Sequence, residues 1–182
     1  MGLDKGTFTN NNENFEVTFE VEDGFIEIVP NAGQIVITAA SASKVYDGEV
    51  LKNDDYTVAG LPEGFKVVAV VEGSQTDAGE SANEVTSYKI YTEDDVDVTN
   101  QFTNVTTVNG ELIVTKRPVV VTVVGAKSTV VYDGETHRVE GYVATDDDAL
   151  YDVEKDHSYT GSQVAERTAV GVSAMGLDKD TF

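Results

Sequence analysis

The 182-residue sequence has no cysteine, no tryptophan, three prolines and two histidines, and only 12 Lys+Arg against 33 Asp+Glu. Each shortage removes a class of protein. Without cysteine there is no disulfide framework, no iron–sulfur or thiolate–zinc centre and no thiol nucleophile. A formal net charge of −21 has the wrong sign for nucleic acid, whose phosphates need a basic patch, and for anionic membrane surfaces. No apolar run approaches the ~18–20 residues of a membrane-spanning helix, so no membrane insertion is expected. Residues 1–20 carry neither the basic nor the apolar region of a signal peptide. The expected location is then the cytosol or, for a piece cut from a longer exported protein, the cell exterior.

Helix formers are also scarce: 6 Leu stand against 30 Val and 20 Thr. Val and Thr are stiff at χ1 and suit a pleated, half-buried surface. Hydrophobic residues reach 40%, enough for real cores. Phe15, Val17, Phe19 and Val21 alternate with Glu16, Thr18, Glu20 and Glu22, and a second apolar segment runs from Phe25 to Val29. Residues 85–91 repeat the same period of two. Such segments are expected to be strands with one face in a core. Asp23-Gly24, Asp47-Gly48, Glu63-Gly64, Asn109-Gly110 and Asp133-Gly134 punctuate them as turns. No segment keeps apolar residues at helical spacing for three turns.

Internal repeats set the organisation. Val45-Tyr46-Asp47-Gly48-Glu49 recurs as Val131-Tyr132-Asp133-Gly134-Glu135, 86 residues later, and Asp23-Gly24 recurs as Asn109-Gly110 at the same offset. Gly73-Ser74-Gln75 returns as Gly161-Ser162-Gln163, 88 residues on. Met1–Phe8 returns as Met175–Phe182 with seven of eight positions matching. A period this long predicts an array of whole small domains rather than a solenoid of minimal units. Residues 1–30 read as the C-terminal part of a preceding module, 34–118 as one complete module, and 119–182 as the N-terminal part of a following one. Neither end coincides with a module boundary on this reading. The expected fold is a tandem array of small antiparallel β-sandwiches of about seven strands each, Ig-like in general form, with a β-grasp-like module as the alternative. The incomplete parts are expected to complete each other between neighbouring copies, head to tail.

Three features in one order, Lys44–Gly48, Gly73–Glu80 and Val108–Pro118, resemble the YDG/MBG-type repeats of large bacterial surface proteins and adhesins. The resemblance covers 34–118 well and 119–182 more loosely, and residues 1–30 match only the closing part. It implies tandem all-β modules that form a stalk or filament outside a bacterium, with no catalysis. An adhesin repeat that binds host glycan or mucin is the second expectation; it would need exposed aromatics grouped on one face.

Several residue sets have reactive or ligating chemistry. Tyr46, Asp47 and Gly48, with their counterparts Tyr132, Asp133 and Gly134, are expected to be structural: Gly supplies positive φ and Asp bonds its own turn. Asp54-Asp55, the acids at 93–95 with Asp97, and Asp146–Asp148 offer the oxygens calcium takes, but without the spaced pattern of a preformed loop. A solvated, self-repelling surface is the first expectation for them, and no cofactor is expected. Lys44 and Asn109 are the residue types of a Lys–Asn isopeptide cross-link, which needs a desolvated amine. His137 and His157 leave a Ser/His/Asp set open by composition. No nucleophile-elbow or phosphate-loop motif accompanies them, and no enzyme is expected.

Overall fold

A computed structural model describes residues 2–182. It is all-β with several sheets, and no α-helix occurs among the described residues. The helix that a β-grasp module requires is therefore not among them. Residues 34–118 contain seven strands: β1 (Ile35–Ala39), β2 (Ala42–Val45), β3 (Tyr56–Ala59), β4 (Phe65–Glu72), β5 (Gly79–Thr92), β6 (Val105–Val108) and β7 (Gly110–Thr115). Residues 119–182 contain β8 (Val121–Gly125), β9 (His137–Glu140), β10 (Tyr142–Asp146) and β11 (Val164–Arg167). Sheet orders are β3-β1-β6, β2-β7-β5-β4, β10-β8 and β11-β9.

Contacts divide the chain into two compact units. One holds residues 1–39, 55–71 and 85–108; the other holds 40–54, 72–84 and 109–182. The division runs through 34–118: residues 79–84 of β5 belong to one unit and residues 85–92 to the other. In the first unit the β3-β1-β6 sheet buries Ile35 and Ile37 against Ile90 and Phe102, with Phe65, Val67, Val85 and Tyr88 packed around them. Phe65 meets Phe102 edge to face, centroids 5.1 Å apart, a favoured geometry for aromatic pairs. Along β5 the inward face passes from Ser81, Asn83 and Val85 to Tyr88 and Ile90. This one-residue phase slip, the effect a β-bulge produces, breaks the strict alternation read over 85–91.

In the second unit Leu112 and Val114 of β7 are buried. Asn83, also fully buried, donates to the carbonyls of Ala40 (2.8 Å) and Asn53 (2.7 Å). Among the described residues of 119–182 the one buried hydrophobic residue is Ala165, at 9% exposed.

Two expectations are corrected. The two sheets of 34–118 are mixed rather than purely antiparallel, β1 running parallel to β6 and β2 parallel to β7, while the two-stranded sheets of 119–182 are antiparallel. Both ladders keep one offset, Ile35 facing Val105 and Lys44 facing Val114. β1 thus lies beside β6 and β2 beside β7, each pair running the same way, which a parallel pair permits because the intervening chain serves as the long crossover. The second correction concerns residues 8–30, which carry no strand. Alternation selects which face is apolar, but a strand also needs a hydrogen-bonded neighbour. Phe25, Ile26 and Ile28 are 87–89% exposed.

Candidate functional site

The two Tyr-Asp-Gly motifs fold into the same turn. Asp47 Oδ1 accepts from Glu49 N–H at 2.9 Å, and Asp133 Oδ1 accepts from Glu135 N–H at 2.9 Å. Gly48 and Gly134 take φ of 80° and 87°, a region open to Gly without cost. Such an Asx turn holds the chain reversal by one carboxylate oxygen. The groups beside the turns differ. Lys44 Nζ bonds Asp47 Oδ1 at 2.5 Å and the Glu49 carbonyl at 2.6 Å. Residue 130 is a valine, and His137 Nε2 meets Asp133 Oδ1 instead, at 3.0 Å. Asp47 lies below the usual carboxylate range, chiefly through Lys44. Asp133 is lowered chiefly by the Glu135 amide and next by His137.

Tyr46 of the first motif lines a groove of about 370 Å³ with Asp77, Lys116, Arg117, Leu150 and Tyr151. This is the junction between 34–118 and 119–182, and it lies within one compact unit. Arg117 Nε donates to Asp148 Oδ2, and that carboxylate is almost wholly buried. The bond with Arg117, then the Leu150 amide, holds Asp148 below its ordinary pKa. Val120 N–H donates to Asp147 Oδ1 at 2.9 Å, and Asp148 N–H to Asp146 Oδ1 at 3.0 Å. The Asp146–Asp148 run, read from sequence as a solvated or calcium-type cluster, thus clamps the connection Arg117-Pro118-Val119-Val120. Among the described residues no group of three or more His, Asp or Glu side chains is placed to hold a metal ion.

The remaining sequence candidates are dispersed. Asp97, on the loop after β5, accepts from the Thr99 hydroxyl at 2.7 Å and from Lys89 at 2.9 Å. The Thr99 hydroxyl and then Lys89 lower its pKa to about 2. Asp95 pairs with Lys66. Asn109 donates to Glu84 at 3.3 Å, while Lys44 is engaged with Asp47 and Glu49; the structure does not bring Lys44 and Asn109 together. His157 bonds the Val153 carbonyl and the Tyr142 hydroxyl. Tyr142, Tyr159, His157 and Phe182 form one ring cluster with centroids 4.5–6.3 Å apart. His137 lines an open groove with Ser128, Val130, Tyr132, Arg138 and Thr168, and its ring bonds a carboxylate rather than a hydroxyl nucleophile.

Sequence reasoning did not single out Asn83 or the pairing of Arg117 with Asp148. The sequence signal for the second was Arg117-Pro118, a cation fixed just before the next strand. Asn83 has no local signal, because its partners are 30 and 43 residues away. Comparison with protein-family models, with curated proteins and with solved structures found no match.

Proposed function

We propose that the chain is a structural repeat unit of an extracellular bacterial surface protein, its copies following one another head to tail as a semi-rigid stalk or fibre of small Ig-like sandwiches. One observation carries this reading. The β1–β3 ladder pairs Ala39 with Tyr56, and the β8–β10 ladder pairs Gly125 with Tyr142. Those are the same register moved by the 86-residue repeat, so the motif repeat is a repeat of structure at its opening. The Arg117–Asp148 clamp stiffens the link, and Pro118 fixes φ within it. A surface this acidic keeps long assemblies soluble. No catalytic role is proposed.

The direct test is length. Concatenated chains of one, two and three repeats, measured by small-angle scattering, should grow in maximum dimension by a constant increment per repeat. Compact particles whose radius grows as the cube root of mass would overturn the stalk reading.

A second reading, an adhesin repeat for host glycan or mucin, rests on the junction groove, which Tyr46, Tyr151 and Lys116 help to line. It ranks lower because Arg117 and Asp148 in that groove already satisfy each other. A glycan array probed with the chain and with Tyr46→Ala separates the two readings.

A further inference from the structure

We propose that residues 19–29 of one copy of the chain add to the open edge of residues 119–182 in a second copy, as a parallel strand in the register of the β1–β6 and β2–β7 ladders. The inference rests on the repeat-unit reading and specifies its seam. The template is internal. In 34–118, β1 and β2 are covered by β6 and β7 at one constant offset. The 86-residue repeat carries β1 onto β8 and Ala42–Val45 onto Ser128–Val131. It carries β6 onto residues 19–22 and Gly110–Thr115 onto 24–29. The predicted seam therefore pairs Phe19 with Val121, Ile26 with Ser128 and Ile28 with Val130.

Both halves of the seam lack a strand partner along the proposed edge among the described residues; on the donor side Phe19 meets the Phe8 ring and Asp23 accepts from Leu3 N–H, contacts from residues 3–8 that the donated segment would give up. β1 has two strand neighbours, but β8 has only β10. Residues 128–131 are in no strand, and Val130 and Val131 are 53% and 88% exposed. On the donor side the contrast is sharper. Leu112 and Val114 are 0% and 2% exposed, whereas Ile26 and Ile28, one repeat away, are 88% and 87% exposed. Covering Phe19, Ile26, Ile28 and an eleven-residue backbone against a matching edge buries on the order of the 1,200 Å² at which stable interfaces begin.

Charge fits the same register. Residues 13–27 hold six acids and no base. At the bend between β1 and β2, Ser41 Oγ accepts from Glu111 N–H at 3.0 Å. The repeat puts Lys127 in the place of Ser41, facing a donor whose bend carries Asp23. The eight-residue duplication also finds its place. Met175 Sδ and Leu177 Cδ1 already crowd Gly125, lying 3.2 and 3.1 Å from where a Cβ would stand. Residues 175–182 of the acceptor thus occupy the position that residues 1–8 of the donor would otherwise take, and the donated segment begins beyond them. Such a contact is heterologous and does not close on itself, so it propagates.

Disulfide trapping tests the register, because the chain has no cysteine of its own. Ile28→Cys and Val130→Cys in one chain, oxidised at increasing protein concentration, should give a ladder of multiples of 19.5 kDa on a non-reducing denaturing gel. The pair Ile28→Cys with Thr122→Cys, eight positions out of register, should give no ladder. Mixing single-cysteine chains should yield only the Ile28–Val130 heterodimer. Ile26→Asp added to the Ile28→Cys, Val130→Cys chain, at a position 88% exposed in the single chain, should abolish the ladder while leaving the far-ultraviolet spectrum unchanged. Lys127→Glu should weaken assembly at least tenfold, and adding Asp23→Lys should restore it. Assembly should strengthen with salt, because it brings together chains of charge −21. A ladder independent of register, a monomeric band with an internal disulfide, or no cross-link at any concentration would each overturn the proposal. None of these outcomes bears on the length increment of concatenated repeats, so the stalk reading stands or falls separately.

Discussion

Ile37 and Val123 stand one 86-residue repeat apart, in strands that pair in equivalent register with Tyr56–Ala59 and Tyr142–Asp146. Ile37 is fully buried; Val123 is only partly covered. Their own sequences do not explain the difference, since Ile35-Val36-Ile37 and Val121-Thr122-Val123 both suit a strand. What differs is what lies across from them. β1 has β6 on its second edge and the Ile90–Phe102 cluster packed on it, and β8 has neither. The comparison separates two levels of folding. A hairpin-like register is set locally and recurs wherever its sequence recurs, whereas burial depends on strands contributed from ~70 residues away. The duplicated end segments teach the same lesson at smaller scale. Asp4 caps a 3₁₀ turn over Lys5–Thr7 through Gly6 N–H, and Asp178 caps Lys179–Thr181 through Asp180 N–H. The turn is the same whatever surrounds it.

The largest expected effect breaks the comparison at its sharpest point. Leu112→Ala should cost about 2–5 kcal/mol in urea unfolding, the range for emptying a core leucine site. Ile26→Ala, at the equivalent position, should change the stability of the dilute chain by less than about 0.5 kcal/mol. Equal losses would mean that residues 24–29 are already packed within their own chain.

Next in size is Asn83. Asn83→Ala removes two buried donors and leaves the Ala40 and Asn53 carbonyls unpaired, at a cost of about 2–4 kcal/mol. Asn83→Asp should be worse, since it sets a carboxylate against those carbonyls. Denaturant midpoints decide it, and an unchanged midpoint for Asn83→Asp would remove Asn83 as the tie.

Gly60→Ala should cost about 1–3 kcal/mol. Its φ is 79°, and a Cβ there would lie 2.0 Å from the Gln34 carbonyl oxygen. Differential scanning calorimetry should show the lower transition temperature; a variant as stable as the parent would mean that Gln34 lies elsewhere.

The smallest effect concerns pH. The folded-state pKa of Asp97 is lowered to about 2 from an ordinary 3.8. A depressed carboxylate adds stability above its unfolded pKa and loses it as pH falls through the folded one. The contribution should therefore be complete above pH ~4 and fade towards pH 2. Asp97→Asn should flatten the decline of the urea midpoint over that window. Because the pair with Lys89 is exposed, the gain it provides should also shrink in high salt.

The class of the fold was legible in the excess of Val and Thr and in period-two alternation. The repeat was legible in the Tyr-Asp-Gly spacing, and the matching Asx turns at Asp47 and Asp133 express it. The parallel pairings of β1 with β6 and β2 with β7 were not legible, because alternation reports which face is buried and is silent on the direction of the neighbour. The phase slip between Val85 and Tyr88 escaped for a related reason: both phases place an apolar residue inward, so the sequence supports either. Residues 15–21 and 25–29 read as strands from alternation and apolar content and carry none here, since a strand is a relation between two segments. At the junction, Asp146–Asp148 read as solvated charge; its clamp on Arg117 and Val120 depends on a fold that brings together positions 27–31 residues apart.

The most direct test of the account is amide hydrogen exchange on the dilute full chain, with and without a synthetic peptide of residues 9–30. Alone, Ile35–Ala39 and Gly110–Thr115 should be strongly protected, while Val121–Gly125 and Ser128–Val131 exchange far faster. Added peptide should slow exchange in Val121–Gly125 and Ser128–Val131 and leave Ile35–Ala39 unchanged. Protection of Val121–Gly125 equal to that of Ile35–Ala39 before any peptide is added, or no response to saturating peptide, would contradict the claim that 119–182 is the same module awaiting its closing strands.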